Sequence, residues 1–189
     1  MSHNKIVFVT GNANKLKEVQ LLLKGIKYEL VNEPLDLDEL QESKLESIAI
    51  SKVKQATSQL GAGVPVFVED TALCFNAMNG LPGAYIKWFV KEMGIDNIYK
   101  MLTGFEDKTA KAITTIAYSD AMGKIHVFQG ITEGTIVEPQ GPRTFGWDSL
   151  FKPNDGVGLT YAQMDKEEKN KISQRARAFF KLKEYLEQQ

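Results

Sequence analysis

The sequence predicts a mixed α/β fold: an elongated sheet with flanking helices, part of it antiparallel. Two patterns lead there. Apolar strand-like runs alternate with helix-period segments through the first half of the chain. Two strand-like runs then follow one another across a short turn, before a helical segment near the end. At 189 residues, 43% hydrophobic and 25% charged, the chain is long enough for one domain with a sizeable core.

Ile6 to Val9 reads as a buried strand. Lys15 to Lys24 reads as a helix that turns Leu16, Val19, Leu22 and Leu23 to one face and stops at Gly25. Tyr28 to Asn32 is a second short strand, and Pro34 to Gln41 is an acidic loop. Ser43-Lys44-Leu45-Glu46 has the form of a capping box, and the helix after it carries Leu45, Ile48, Ala49, Val53 and Ala56 inward. Val64 to Val68 is an apolar strand with Pro65 at its start, where a missing N–H is tolerated, and it ends in Glu69-Asp70-Thr71. Gly80-Leu81-Pro82-Gly83 is a turn. A helix follows from Ala84 to Met93, stopping at Gly94, and Asp96 caps a shorter one that ends at Gly104. Lys111 to Tyr118 and Ile125 to Val137 are strands joined by a turn at Ser119 to Gly123. Pro139 to Asp148 and Lys152 to Gly158 read as loops. Asp165 caps a final helix with Ile172, Ala176, Phe179, Phe180 and Leu186 as its buried stripe. No repeat, low-complexity tract or linker interrupts the chain, so a single domain over residues 1–189, in two lobes around a central cleft, is expected.

Composition excludes several classes. The formal net charge of −1 shows no basic excess, so a small anionic ligand is favoured over nucleic acid. Cys74 is the only cysteine, which rules out an internal disulfide and a multi-cysteine zinc site. With only His3 and His126, a histidine-rich centre is disfavoured, so a metal is expected on carboxylates, as Mg²⁺ or Mn²⁺. No basic-then-apolar leader and no apolar run of membrane-spanning length is present, and the expected compartment is the cytoplasm.

Thr10-Gly11-Asn12-Ala13-Asn14-Lys15 follows the first strand and opens a helix. A glycine turn into a helix start gathers backbone N–H groups and the positive end of the helix dipole, which suits phosphate. It lacks both the P-loop pattern and Gly-x-Gly-x-x-Gly, and the pattern alone favours an ordinary turn in which Gly11 relaxes the backbone and Lys15 is solvated. Glu69-Asp70, at a strand's carboxyl end, is either a metal-binding pair facing that turn or an acidic turn. Glu39 is a second candidate ligand in a loop that also suits plain solvation. Lys52 and Lys169 stand on or beside apolar stripes, where a lysine either snorkels to water or meets an anion. Lys87, near a helix start, could reach a phosphate. Phe145-Gly146-Trp147-Asp148 offers an aromatic face and a carboxylate to a base, or plugs the edge of the core.

Val9-Thr10-Gly11-Asn12-Ala13-Asn14-Lys15, Val68-Glu69-Asp70-Thr71, Gly80-Leu81-Pro82-Gly83, Phe145-Gly146-Trp147-Asp148 and Glu168-Lys169-Asn170-Lys171-Ile172-Ser173-Gln174-Arg175 occur in this order. Together they resemble the inosine triphosphate pyrophosphatase family, the non-standard purine NTP pyrophosphatases, across essentially the whole chain. Phe75-Asn76-Ala77 and Gly104-Phe105-Glu106-Asp107-Lys108 resemble its eukaryotic branch. The resemblance implies hydrolysis of ITP, dITP and XTP to the monophosphate and pyrophosphate with Mg²⁺, a nucleotide-binding cleft between two lobes, and a homodimer. It implies that Thr10 to Lys15 and Lys52 line the triphosphate and that Glu39 and Asp70 hold metal. Asp70, with Glu69 beside it, would position or deprotonate the attacking water. Thr71 and Lys87 would bind the nucleotide, and Phe145 to Asp148, Lys169, Gln174 and Arg175 would form the base pocket.

Such chemistry needs charge neutralisation more than covalent catalysis. Cationic donors suit the 6-oxo group of hypoxanthine and xanthine and are left unpaired by a 6-amino group. The chain departs from the family pattern twice, with Gln174 where histidine is usual and Ser149 where proline is usual. Other readings are a Maf-like pyrophosphatase of different base specificity and a nucleotide-binding sensor without catalysis.

Overall fold

Four consecutive buried residues, Ile6 to Val9, form most of β1 (Lys5–Val9), and that unbroken apolar run marks a strand covered on both faces. The computed structural model of the chain describes residues 4–189, so His3 lies outside the described residues. After β1 come α1 (Ala13–Leu22), β2 (Glu29–Glu33), α2 (Leu45–Leu60), β3 (Val66–Phe75), β4 (Pro82–Gly83), α3 (Ile86–Met93) and α4 (Ile95–Met101). Then follow β5 (Thr109–Ser119), β6 (Ile125–Ile136), β7 (Phe151–Pro153), α5 (Lys166–Ile172) and α6 (Gln174–Glu187). One mixed sheet has the order β2-β1-β3-β5-β6-β7, with β4 paired to β3. β1 is parallel to β2 and β3, whereas β4 runs antiparallel to β3 and β7 antiparallel to β6.

The chain divides into two compact units. The first comprises the stretch ending at Asp70, Thr114–Gly130 and Ala176–Gln189. Its core stacks Phe8 on Phe67 at 4.7 Å, with Phe179 edge-on to both at 6.4 and 5.7 Å. A second apolar patch in this unit packs Ala49, Val53 and Ala56 of α2 on Val7, Val9, Val66 and Val68. The other unit comprises Thr71–Ile113 and Ile131–Arg175. Its core includes Leu73, Phe75, Ile86, Ile98, Leu102, Trp147, Phe151 and Tyr161. β3, β5 and β6 contribute residues to both units.

Several local expectations need correction. β3 does not end at Asp70: it pairs with β1 through Val66 and Phe67, then runs on to pair Leu73 and Cys74 with β4. Glu69 and Asp70 are therefore mid-strand residues, just beyond Phe67, which pairs with Phe8 of β1. The capping box at Ser43 does not form, because α2 starts at Leu45 with Lys44 at its cap and no side-chain cap hydrogen bond. α4 starts directly after Gly94, which leaves Asp96 in its first turn, bound bidentately by Arg143 at 2.6 and 3.0 Å. Lys152 and Pro153 belong to β7, a strand too short to show a period.

The single final helix is in fact two. Ser173 between α5 and α6 is extended, at φ −68° and ψ 153°, and the Thr132 hydroxyl donates to the Ile172 carbonyl at 2.6 Å. Within α6 the buried face runs through Ala176, Phe179, Leu182 and Leu186, while Phe180 is 47% exposed.

Candidate active site

α1 starts two residues earlier than its apolar period suggests, because Asn12 caps it. The Asn12 Oδ1 accepts from the N–H groups of Asn14 and Lys15 at 3.0 and 3.1 Å, and Thr10 Oγ1 accepts from the Asn12 N–H at 3.1 Å. Thr10, Asn12, Asn14 and Lys15 thus form one ordered turn at the positive end of a helix. Gly11 is not among the residues with positive φ, and a Cβ added there would meet nothing within 4 Å. Its lack of a side chain answers no strain or crowding within the chain, contrary to the expectation that it relaxes the backbone.

In the same unit, charges gather around Lys52 of α2. Its Nζ donates to Asp70 Oδ1 at 2.8 Å and stands 3.6 Å from Glu39 Oε1. Lys15 Nζ stands 3.5 Å from Glu69 Oε1, whose side chain is fully buried. Burial alone pulls the Lys52 amine down. Asp70, by charge and hydrogen bond, then Glu39 and Glu69, outweigh that and hold it above the ordinary lysine value. Lys52 is therefore a fixed cation at neutral pH. The loop bearing Glu39 is irregular but anchored, since Gln55 accepts from the Asp38 N–H at 2.8 Å and donates to the Asp38 carbonyl at 3.0 Å. Gln59 donates to the Asp36 carbonyl at 3.2 Å.

No group of three or more His, Cys, Asp or Glu side chains forms a metal cluster among the described residues. Mg²⁺ needs only one or two carboxylates when phosphates and water complete its shell. Asp70 fits that requirement: its Oδ2 is buried with no hydrogen-bond partner, although Oδ1 is paired. Glu39, about one-third exposed, is the second oxygen donor in reach of the same lysine.

The other unit assembles a different set. Lys169 is 5% exposed, and its Nζ donates to Asp148 Oδ2 at 2.7 Å. The same amine lies 4.3 Å from the centre of the Phe145 ring and 5.3 Å from that of Tyr161. The Arg175 guanidinium lies 5.6 Å from the Phe145 ring and donates to Thr71 Oγ1 at 3.4 Å. Gln174 is buried, and its Oε1 accepts from the Tyr161 hydroxyl at 2.9 Å. Gly146 has φ 52°, the left-handed conformation that glycine adopts without strain, and lets the loop turn between Phe145 and Asp148. Trp147 points into the core against Phe151 and Tyr161, at 5.7 and 6.3 Å.

The structure therefore brings the sequence-predicted residues together as two groups. Lys15, Glu39, Lys52, Glu69 and Asp70 form one, and Thr71, Phe145, Asp148, Lys169, Gln174 and Arg175 the other. Ala13 is the first residue of α1, and Lys87, in the first turn of α3, is exposed with its amine 5.4 Å from the Trp88 ring. Sequence reasoning passes over Tyr161 and Gln55. A signal for Tyr161 was available in the capping box between Thr160 and Gln163, which marks a fixed turn around it.

Residues 6–185 match the Ham1 family. The inosine triphosphate pyrophosphatase of Saccharomyces cerevisiae is 59% identical over 194 residues, covering 100% of this chain and 98% of that protein. The protein of the same name from Kluyveromyces lactis is 61% identical over 189 residues, covering 98% of this chain and 97% of its own length. Among solved structures, a HAM1 protein from Coxiella burnetii superposes with a TM-score of 0.85 at 27% identity, over 98% of this chain and 99% of that one.

Proposed function

Since the chain belongs to the Ham1 family, we propose that it hydrolyses ITP, dITP and XTP to the monophosphate and pyrophosphate, removing non-standard purine nucleotides from the nucleotide pool. The observation that carries this reading is the Glu39–Lys52–Asp70 arrangement with its unpartnered buried carboxylate oxygen. An anion site alone would need only cations. Carboxylates interleaved with lysines, one oxygen left over, suit a triphosphate that arrives with a divalent cation.

The residues then take these roles. The Thr10 to Lys15 turn and the amines of Lys15 and Lys52 take up negative charge on the triphosphate, with Gly11 leaving the backbone open to close approach. Glu39 and Asp70 would hold Mg²⁺, with Mn²⁺ as the alternative cation. Held there, the cation would supply charge neutralisation at the α–β phosphoanhydride. Asp70, with Glu69, orients the attacking water and accepts its proton. Thr71 and Lys87 bind the nucleotide. Phe145 offers its ring to the purine, Lys169, Gln174 and Arg175 offer donors to the 6-oxo group, and Gly146, Trp147 and Asp148 shape that wall. The whole chain acts as one functional domain, in a cytoplasmic homodimer as the family resemblance implies. No helix among the described residues is long and apolar enough to cross a membrane.

Pyrophosphate release from ITP, XTP, GTP, ATP and a methylated UTP, with and without Mg²⁺, tests the reading. Mg²⁺-dependent release from ITP and XTP is expected, and Asp70→Asn should lower kcat by roughly 100-fold or more while nucleotide binding persists. Preference for methylated UTP would mark a Maf-like enzyme, and binding without release a sensor.

A further inference from the structure

One strand carries both sides of the Phe145 wall. Gly134, Thr135 and Ile136 of β6 pair with Pro153, Lys152 and Phe151 of β7, and the Val137 N–H donates to the Leu150 carbonyl at 2.9 Å. Those contacts hold the segment that follows Phe145 and Asp148. Slightly earlier in β6, the Thr132 hydroxyl donates to the Ile172 carbonyl at 2.6 Å. The direction of this bond is fixed, because a carbonyl can only accept. Thr132 is fully buried, so its hydroxyl has no water to turn to instead.

Ile172 is the last residue of α5, and Gln174 is the first of α6. In an unbroken helix the Ile172 carbonyl would accept from the N–H four residues on. Ser173, extended at ψ 153°, interrupts that ladder, and Thr132 supplies a donor to the carbonyl from another element. The break also redirects the cations. Residues six apart on an unbroken helix point about 120° apart and sit about 9 Å apart along the axis. Lys169 and Arg175 have that spacing, yet the amine and the guanidinium lie 4.3 and 5.6 Å from the centre of one ring, Phe145.

We propose that Thr132 is a positioning residue for base binding: by holding the Ile172 carbonyl it keeps the chain broken at Ser173, with Lys169 and Arg175 turned onto the Phe145 ring. The inference deepens the function proposed above and rests on it. A purine lying on that ring meets both cations only while the break is in place, and a 6-oxo group is the acceptor they suit. Without the hydroxyl, the Ile172 carbonyl is left to the ladder of its own helix, and Arg175 is free to leave the ring.

The test measures kcat and KM for ITP, kcat/KM for ATP, and IMP binding by calorimetry, in the wild type, Thr132→Val and Thr132→Ser. Valine keeps the size of threonine and deletes the hydroxyl, whereas serine keeps the hydroxyl. Contacts to the base are made alike in the ground state and the transition state. Thr132→Val should therefore raise KM for ITP roughly tenfold with kcat little changed, and IMP should bind roughly tenfold more weakly. The value for ATP, whose amino group those donors do not favour, should stay near that of the wild type, and Thr132→Ser should behave as the wild type throughout. A merely structural role would leave a smaller active fraction, lowering kcat for ITP and kcat/KM for ATP together with KM for ITP unchanged. That result overturns the proposal, as does a Thr132→Ser variant as impaired as Thr132→Val. If Thr132→Val does not melt cooperatively, Thr132→Ser against Thr132→Ala decides, because those two differ by the hydroxyl alone, and an equal KM for ITP overturns the proposal. Wild-type turnover of ITP with variants that keep its KM and the IMP affinity defeats this inference alone, whereas wild-type protein that releases no pyrophosphate from ITP defeats the functional reading and the inference with it.

Discussion

Lys52 and Lys169 both sit on helices, both are largely withdrawn from water, and each holds a carboxylate at 2.8 or 2.7 Å. Their surroundings differ in the sign of what is left over. Around Lys52, the three carboxylates of Glu39, Glu69 and Asp70 face the two amines of Lys15 and Lys52, and one carboxylate oxygen is unpartnered. Around Lys169, Asp148 pairs with the lysine, and two cations, Lys169 and Arg175, stand against the Phe145 ring. The same ion pair thus serves two tasks. An excess of carboxylate beside helix-start donors suits a metal-bearing polyanion, and an excess of donors beside an aromatic face suits an oxo-purine. The excess charge, more than the pair itself, distinguishes the guests.

The contrast can be broken first at Lys169. Lys169→Met leaves Asp148 buried and without this cation, so stability should fall by about 3–5 kcal/mol, read as a drop in Tm by calorimetry. A change near zero would mean that Asp148 is well solvated and that the two sites do not differ in burial.

Lys52→Met should cost less, about 1–3 kcal/mol, because the side chains of Glu39 and Asp70 are 35% and 20% exposed, against 12% for Asp148. Mg²⁺ should then raise the Tm of the variant more than that of the wild type, by replacing the missing cation. The pH dependence has a definite sign. The folded-state value of Lys52 lies above 10.5, so its stabilising contribution is complete below 10.5 and is lost as pH rises through the higher folded value. The Tm gap between wild type and Lys52→Met should stay constant across neutral pH and close only above 10.5. A gap that persists in stronger alkali would assign the loss to packing of the lysine stem.

The smallest effect is expected at Ser149, whose Oγ is buried without a partner beside Asp148. Ser149→Ala removes a polar group that gains nothing from burial, and should be neutral or stabilising by up to about 1 kcal/mol in denaturant unfolding. A clear loss would show that the hydroxyl has a partner in solution, such as an ordered water.

Elements with a long period were legible from the residues. Ile48, Ala49, Val53 and Ala56 are the buried face of α2, and the unbroken run in β1 is a covered strand. Misreadings fell where a distant partner decides. Asp96 has the chemistry of a helix cap, but Arg143, 47 residues away, takes its carboxylate. The α5–α6 break at Ser173 lies beside a hydrogen bond from Thr132, 40 residues earlier. β3 outruns its apolar stretch because β4 pairs its far end. At the candidate site, the inward placement of Lys52 followed from periodicity, but which acids it meets did not. Trp147 and Phe145 look alike as loop aromatics, and only packing separates them: one ring enters the core and the other faces two cations.

The sequence by itself determined the mixed α/β class, the order of the longer elements, the helix that opens after the Thr10 to Lys15 turn, and the motifs that place the chain in its family. These rest on local periods and short spacings, which a chain carries without folding. Only the tertiary structure decided the partners. Lys52 finds Asp70 across 18 residues, Tyr161 finds Gln174 across 13, and Arg175 finds Thr71 across 104. The strength and direction of a hydrogen bond or ion pair depend on separations of a few ångström and on local burial. Neither is written in the spacing of residues, so the charge left over at each site exists only once the chain has folded.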